Sequence, residues 1–167
     1  QAVSRYGEEI TRLCEKAPQA LDEMRSGRAV ADLGAQFPIL QGGMSWITDN
    51  IDLASAVADA GGLPTLAVGL KSREDLDREF AGLSPALGGR PYAVNVIALD
   101  ENPRLQEQIG WIEASRPPFV VVAAGSPAYV RRFRALGAKV IYIAQSEDLI
   151  RLAVKEGASF IVLEGNE

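Results

Sequence analysis

The sequence predicts an α/β fold in which the strands of a parallel sheet alternate with helices. Three observations carry this expectation. Six short runs are almost wholly apolar: 37–40 (FPIL), 63–68 (LPTLAV), 92–99 (YAVNVIAL), 119–124 (FVVVAA), 139–144 (KVIYIA) and 159–164 (SFIVLE). Strands buried on both faces read this way, and they belong to parallel sheets whose crossovers cover those faces. Amphipathic stretches at 50–60, 72–81, 103–115, 127–136 and 147–156 separate the runs, giving the alternation of a βα array. Glycines then punctuate a repeat of helix, Gly, one or two residues, strand.

Taken in order, residues 1–34 stand apart as a helical lead-in or docking segment. They are rich in charge and place Ile10, Leu13, Leu21 and Met24 at helical spacings, with interruptions at Pro18 and Gly27, so two short helices are expected. Residues 35–167 form the second unit. Its first run, FPIL, ends in Gln41-Gly42-Gly43-Met44, and a helix is expected from about Thr48 or Asp49. Ser72 suits an N-cap, Ser126-Pro127 an N-cap followed by N1, and Gly61, Gly137 and Gly157 the position just past a helix end. Gly88-Gly89 reads as a turn before the third strand. Units of this kind fit either an open doubly wound sheet or most of an eight-stranded (β/α)8 barrel, which needs about 250 residues. The chain starts with Gln and stops directly after a strand. It is therefore read as the N-terminal piece of a longer polypeptide, and an incomplete barrel is the expected architecture.

Composition narrows the function. With 167 residues, 47 % of them apolar and 23 % charged, the chain has the make-up of a globular domain. A net charge of -5 argues against a nucleic-acid or anionic membrane surface. The basic run Arg131-Arg132-Phe133-Arg134 falls on a helix and reads as a solvated face. One cysteine, Cys14, precludes an internal disulfide, and the absence of histidine removes Ser-His-Asp triads and the usual zinc sets. No secretory signal and no apolar run of membrane-spanning length is present, so a cytoplasmic location is expected.

Ligands of parallel α/β sheets bind at the carboxyl ends of the strands. Those ends hold Gln41-Gly42-Gly43-Met44, Val68-Gly69, Ala123-Ala124-Gly125-Ser126, Gln145 and Glu164-Gly165-Asn166-Glu167, with Asn95 inside the third apolar run. Glycine lets a backbone approach a flat ligand closely. Neutral amides offer donors and acceptors without charge, which suits a planar heterocycle better than a metal. Strong acids, bases and nucleophiles are scarce there, as expected when a cofactor carries the chemistry, and no catalytic residue is assigned. Asn95 is the sharpest candidate, because an amide in an apolar strand must find partners. Trp46 suits either ligand stacking or a core lid, and Trp111 suits helix packing.

The segments FPILQGGMSWITD, LASAVADAGGLPTLAVG, GGRPYAVNVI, RPPFVVVAAGSP, VRRFRALGAKVI and EGASFIVLEGNE together resemble the nitronate monooxygenase (2-nitropropane dioxygenase) family of FMN-dependent barrels. That family includes flavin-dependent enoyl-acyl-carrier-protein reductases. The AGGLP and RPPF segments look closest to the enoyl reductase domains of polyketide and polyunsaturated fatty-acid synthases, and residues 1–34 resemble the lead-in to such domains. The resemblance implies a flavin-contacting turn at Gln41, Gly42, Gly43 and Met44, further flavin contacts at Asn95, Gln145, Glu164 and Gly165, and substrate contacts at Ala124 and Gly125. It implies FMN as cofactor, NADPH or NADH as reductant, and an acyl thioester on an acyl carrier protein or a small nitronate as substrate. Other domains of a multienzyme, or a second copy, are the implied partners. The family's phosphate-binding glycines and its candidate histidine fall after Glu167. Residues 1–167 alone are therefore expected to bind FMN weakly and to be inactive. The alternative is a non-catalytic scaffold or docking piece of a multienzyme.

Overall fold

The computed structural model describes residues 2–165; Asn166 and Glu167 of the last expected strand end lie outside them. Helix α1 (Ala2–Arg25) is a single element of 24 residues that runs through Pro18. The expected interruption at Pro18 is absent. A proline removes one hydrogen bond and adds a clash worth about 3 kcal/mol, but the turns on both sides keep their own bonds and the helix continues. Gly27 does separate α1 from α2 (Arg28–Leu33), which ends at Gly34 in the left-handed region, φ 68°.

The expected first strand is not a strand. Of residues 37–40 only Leu40 pairs, in one parallel bridge with Leu63. The Leu63 N–H donates to Ile39 O at 2.9 Å and the Gln41 N–H to Leu63 O at 3.0 Å. Pro38 has no N–H to give, and Gly42-Gly43 follow at once, so the ladder stops after one rung.

Thereafter α3 (Ile51–Asp59), β1 (Thr65–Ala67), α4 (Arg73–Glu79), α5 (Leu83–Leu87), β2 (Ala93–Ile97), α6 (Leu105–Ser115), β3 (Phe119–Ala123), α7 (Ala128–Arg134), β4 (Lys139–Ala144), α8 (Glu147–Glu156) and β5 (Phe160–Leu163) follow in turn. The short α5 was not expected from sequence; it fills part of the β1–β2 crossover. Asn50, Ser72 and Ser146 cap α3, α4 and α8 through their side chains, whereas Pro127 rather than Ser126 occupies the cap position of α7. Gly61, Gly137 and Gly157 all take positive φ past their helices, as expected.

The five strands pair in the order β1-β2-β3-β4-β5, every pair parallel. A doubly wound sheet reverses its strand order at a switch point; this one never does, and the fold is the incomplete (β/α) barrel expected. Alternate residues build two layers. Leu66, Val94, Val96, Val120, Val122, Val140 and Tyr142 pack against the helices with Leu76, Ile109, Ile112 and Phe133. The other face buries Leu63, Ala93, Phe119, Val121 and Ile141, with Leu33 of α2 among them. Trp111 packs as expected, its ring 5.6 Å from that of Phe80.

Candidate functional site

The turn after Leu40 is fixed at several points. Gln41 is tied to Leu63, and the Ala67 N–H donates to Thr48 O at 3.1 Å. Thr48, only 2 % exposed, closes the turn on itself: its hydroxyl accepts from the Met44 N–H at 2.8 Å and donates to Met44 O at 3.1 Å. The glycine between these anchors has a clear purpose. A Cβ on Gly43 would lie 2.6 Å from Asn95 Cβ and 2.7 Å from Asn95 Cγ, so the turn backbone rests directly on the Asn95 amide. No side chain other than hydrogen fits there.

Asn95 stands on the inner face of β2, level with Ala67 and Val121. It is 5 % exposed, and its Oδ1 is buried with no hydrogen-bond partner. Gln41 Oε1 is in the same condition, while its Nε2 makes only a 3.4 Å contact to Gly42 O. An unmade hydrogen bond on a buried amide costs about 1–3 kcal/mol. Asn95 Oδ1 belongs to the side chain on which Gly43 rests and Gln41 Oε1 to the turn two residues earlier; the third buried side-chain atom without a partner among the described residues is Thr65 Oγ1, at the other end of this sheet face.

The β3 end is built from strain. Ala124 has φ 56° and Gly125 φ 87°, and a Cβ on Gly125 would collide with the backbone carbonyl of Ala98. The Tyr142 hydroxyl donates to Gly125 O at 2.8 Å and holds the turn in place. Left-handed backbone at a non-glycine residue costs of order 1–3 kcal/mol and clusters at functional sites. At the next two strand ends Gln145 Nε2 donates to Glu164 Oε2 at 3.4 Å. Both residues are exposed, as is Gly165, and a Cβ there would meet nothing. Thus Gln41, Gly43 and Asn95 form one cluster and Gln145 and Glu164 another, with Ala124-Gly125 at the end of the strand between them. Gly42 and Met44 are exposed at the turn. Trp46 is 80 % exposed with φ 69°, so the core-lid role is excluded. Among the described residues no cluster of His, Cys, Asp and Glu could hold a metal ion, and no helix is long and apolar enough to cross a membrane.

The family model for nitronate monooxygenase matches residues 28–167. The chain belongs to the nitronate monooxygenase family. A probable nitronate monooxygenase from Staphylococcus saprophyticus is 32 % identical over 94 residues, which is 56 % of this chain and 26 % of that protein. FabK from Thermotoga maritima superposes with a TM-score of 0.74 at 32 % identity, over 83 % of this chain and 43 % of the other. Nitroalkane oxidase from Streptomyces ansochromogenes, at 23 % identity and a TM-score of 0.69, covers 81 % and 48 % and shares the fold. The chain therefore spans less than half the length of each of these relatives.

Sequence reasoning missed three features of this family member. Gln108 on α6 is fully buried and joins two strand-end loops. Its Nε2 donates to Gly69 O at 3.1 Å and Lys71 O at 3.3 Å, and its Oε1 accepts from Asn102 Nδ2, which also donates to Ile97 O at 2.9 Å. Nothing in an amphipathic helix pattern marks one Gln as interior. A cavity of about 300 Å³ opens between those loops, lined chiefly by Gly69, Leu70, Ile97, Leu99 and Pro103. Lys71 is the third. Its ammonium lies 3.2 Å from Asp49 and also bonds Glu79, with 14 % of its side chain exposed. Burial alone would lower its pKa, but the bonds to Glu79 and Asp49 outweigh that and raise it, so the group stays cationic.

Proposed function

We propose that this family member seats the ring of FMN against Gly43, Asn95 and Gln41 and works as the flavin-binding part of an oxidoreductase, an enoyl thioester reductase of a polyketide or fatty-acid synthase. One observation carries the reading: the two buried amide oxygens without partners, Asn95 Oδ1 and Gln41 Oε1, beside a glycine that admits no side chain. The donor set fits a neutral planar heterocycle. Both amides can turn a donor or an acceptor to a ring edge, the turn backbone can approach closely, and among the described residues no carboxylate cluster could hold a metal. Asn95 and Gln41 would orient the ring, Ala124-Gly125 would flank the substrate, and Gln145 with Glu164 would close the far side. When bound, flavin supplies hydride transfer from NADPH or NADH to the acceptor. The chain's own part is to bind, orient and exclude water.

FMN titrated into the full-length protein that carries these residues, followed by nicotinamide oxidation with an enoyl thioester or a small nitronate, tests this. Flavin binding that weakens in Asn95→Ala, with turnover on the enoyl thioester, is the expected outcome. Faster turnover on the nitronate would reassign the substrate. Unaltered flavin binding in Asn95→Ala would overturn the seat. A second reading, a docking role for the N-terminal helix, is favoured by one observation: Ile10, Leu13 and Met24 of α1 are 60 %, 56 % and 40 % exposed.

A further inference from the structure

Two separate pieces of chain meet at the strand ends, the turn 41–49 and the β1–α4 loop 68–72. Each is pinned to its own surroundings. In the loop, the Lys71 N–H donates to Val68 O at 3.1 Å, its carbonyl accepts from Gln108, and Ser72 caps α4. In the turn, Thr48 closes the Met44 end and bonds to Ala67. Beyond that bond, the Lys71 ammonium joins the two, with Asp49 on the turn and Glu79 at the end of α4 as its partners. The ammonium also lies 5.9 Å from the centre of the Phe80 ring. Ser45 belongs to the same turn, and its Oγ faces the Gly69 backbone closely enough that a Cβ there would sit 3.5 Å from it.

We propose that Lys71 is a positioning residue: by bridging Asp49 to Glu79 it holds the turn carrying Gln41 and Gly43 at the height at which Gly43 rests on Asn95. The inference builds on the flavin-seat reading above. The physical reason is that Gly42-Gly43 gives the turn its close approach but also its freedom, since glycine restricts φ and ψ least. The backbone bonds of Gln41 to Leu63 and of Ala67 to Thr48 anchor the turn at two points, and the Lys71 pair at Asp49 adds a third. An ion pair largely out of water is screened less than a surface pair, and with both acids on one cation the geometry is over-determined. Removing the cation would leave Asp49 and Glu79 facing each other, so the turn would be pushed away as well as released.

The test uses the full-length protein with Lys71→Met, Lys71→Arg and Asp49→Asn; the last breaks only the turn side and leaves Lys71 with Glu79. Amide hydrogen exchange without flavin is followed for residues 41–49 and, as an internal reference, for 120–122, and FMN affinity is then measured by fluorescence titration. Expected is exchange about tenfold faster in the turn for Lys71→Met and Asp49→Asn, with the reference unchanged. FMN affinity should fall about tenfold in both, and Lys71→Arg should stay within about threefold of the parent, because loss of preorganisation weakens binding. Turn exchange that is unchanged in both variants would overturn the proposal, as would a loosened turn that binds FMN as tightly as before. A parent that binds no FMN would refute the flavin reading instead, and the exchange result would still decide whether Lys71 holds the turn.

Discussion

The two ends of the inner sheet face are made from the same strands and differ in kind. At the amino end, Phe119, Ala93 and Leu63 meet Leu33 from α2 in an apolar floor, and the Phe119 and Phe160 rings lie 6.4 Å apart. At the carboxyl end, the same pleat presents Asn95 beneath Gly43, with amide oxygens unpaired and Ala124 held at positive φ. The floor gains by burial, at about 25 cal/mol per Å² of apolar surface. The mouth gives up stability at the Asn95 and Gln41 oxygens and at Ala124. Thr65 Oγ1, level with Ala93 and Phe119 at the floor, is also buried without a partner, so what sets the mouth apart is two amides that offer both donors and acceptors beside a left-handed Ala124; the proposed flavin seat would account for that pairing.

If the division is real, a change in the floor should reduce stability and leave the ligand seat alone. In the full-length protein Phe119→Ala should destabilise by about 3–5 kcal/mol in denaturant unfolding, while FMN affinity per folded molecule stays at the parent value. Gly43→Ala comes next. Its Cβ would press on the Asn95 Cβ and Cγ, and overpacking of this kind costs about 1–3 kcal/mol; FMN binding should be lost with it, since Asn95 has to move. A loss of binding from Phe119→Ala, or none from Gly43→Ala, would break the comparison.

A smaller effect sharpens it from the helix side. Asp75 closes the α4 capping box, and hydrogen bonds from the Ser72 hydroxyl, then Arg78, then the Ser72 N–H hold its pKa at about 2, below its ordinary 3.8. A carboxylate with a depressed pKa contributes stability above its unfolded pKa, and that contribution is lost as pH falls from about 4 to about 2. Asp75→Asn should therefore flatten that part of the acid limb in a pH series of unfolding curves. An unchanged limb would show that the cap is not the acid-sensitive element.

The alternation, the barrel order and the candidate turn were legible because they rest on local pattern: apolar runs, glycine at helix ends, amides at strand ends. What failed did so where tertiary context decides. Residues 37–40 look like a strand, yet Pro38 and two glycines allow a single bridge. Pro18 reads as a break but sits inside a 24-residue helix. Trp46 could be taken for a lid, and its positive φ was invisible beforehand. Gln108 and Lys71 carry no signal of their own, since the role of Gln108 arises from bonds to a loop 37 and 39 residues away in sequence and that of Lys71 from a salt bridge across a turn.

The central claim is that Asn95 is retained for a ligand at the expense of the fold, and Asn95→Leu tests it most directly. Replacing a buried amide that lacks a partner by an apolar side chain of similar size is nearly neutral or stabilising. Unfolding without flavin and FMN titration on the same samples of the full-length protein should therefore diverge: stability equal to the parent or above it, and FMN affinity reduced by about tenfold, the equivalent of about 1.4 kcal/mol. A variant that unfolds more easily by more than about 1 kcal/mol yet binds FMN as the parent does would show that Asn95 serves the fold, and would contradict the account.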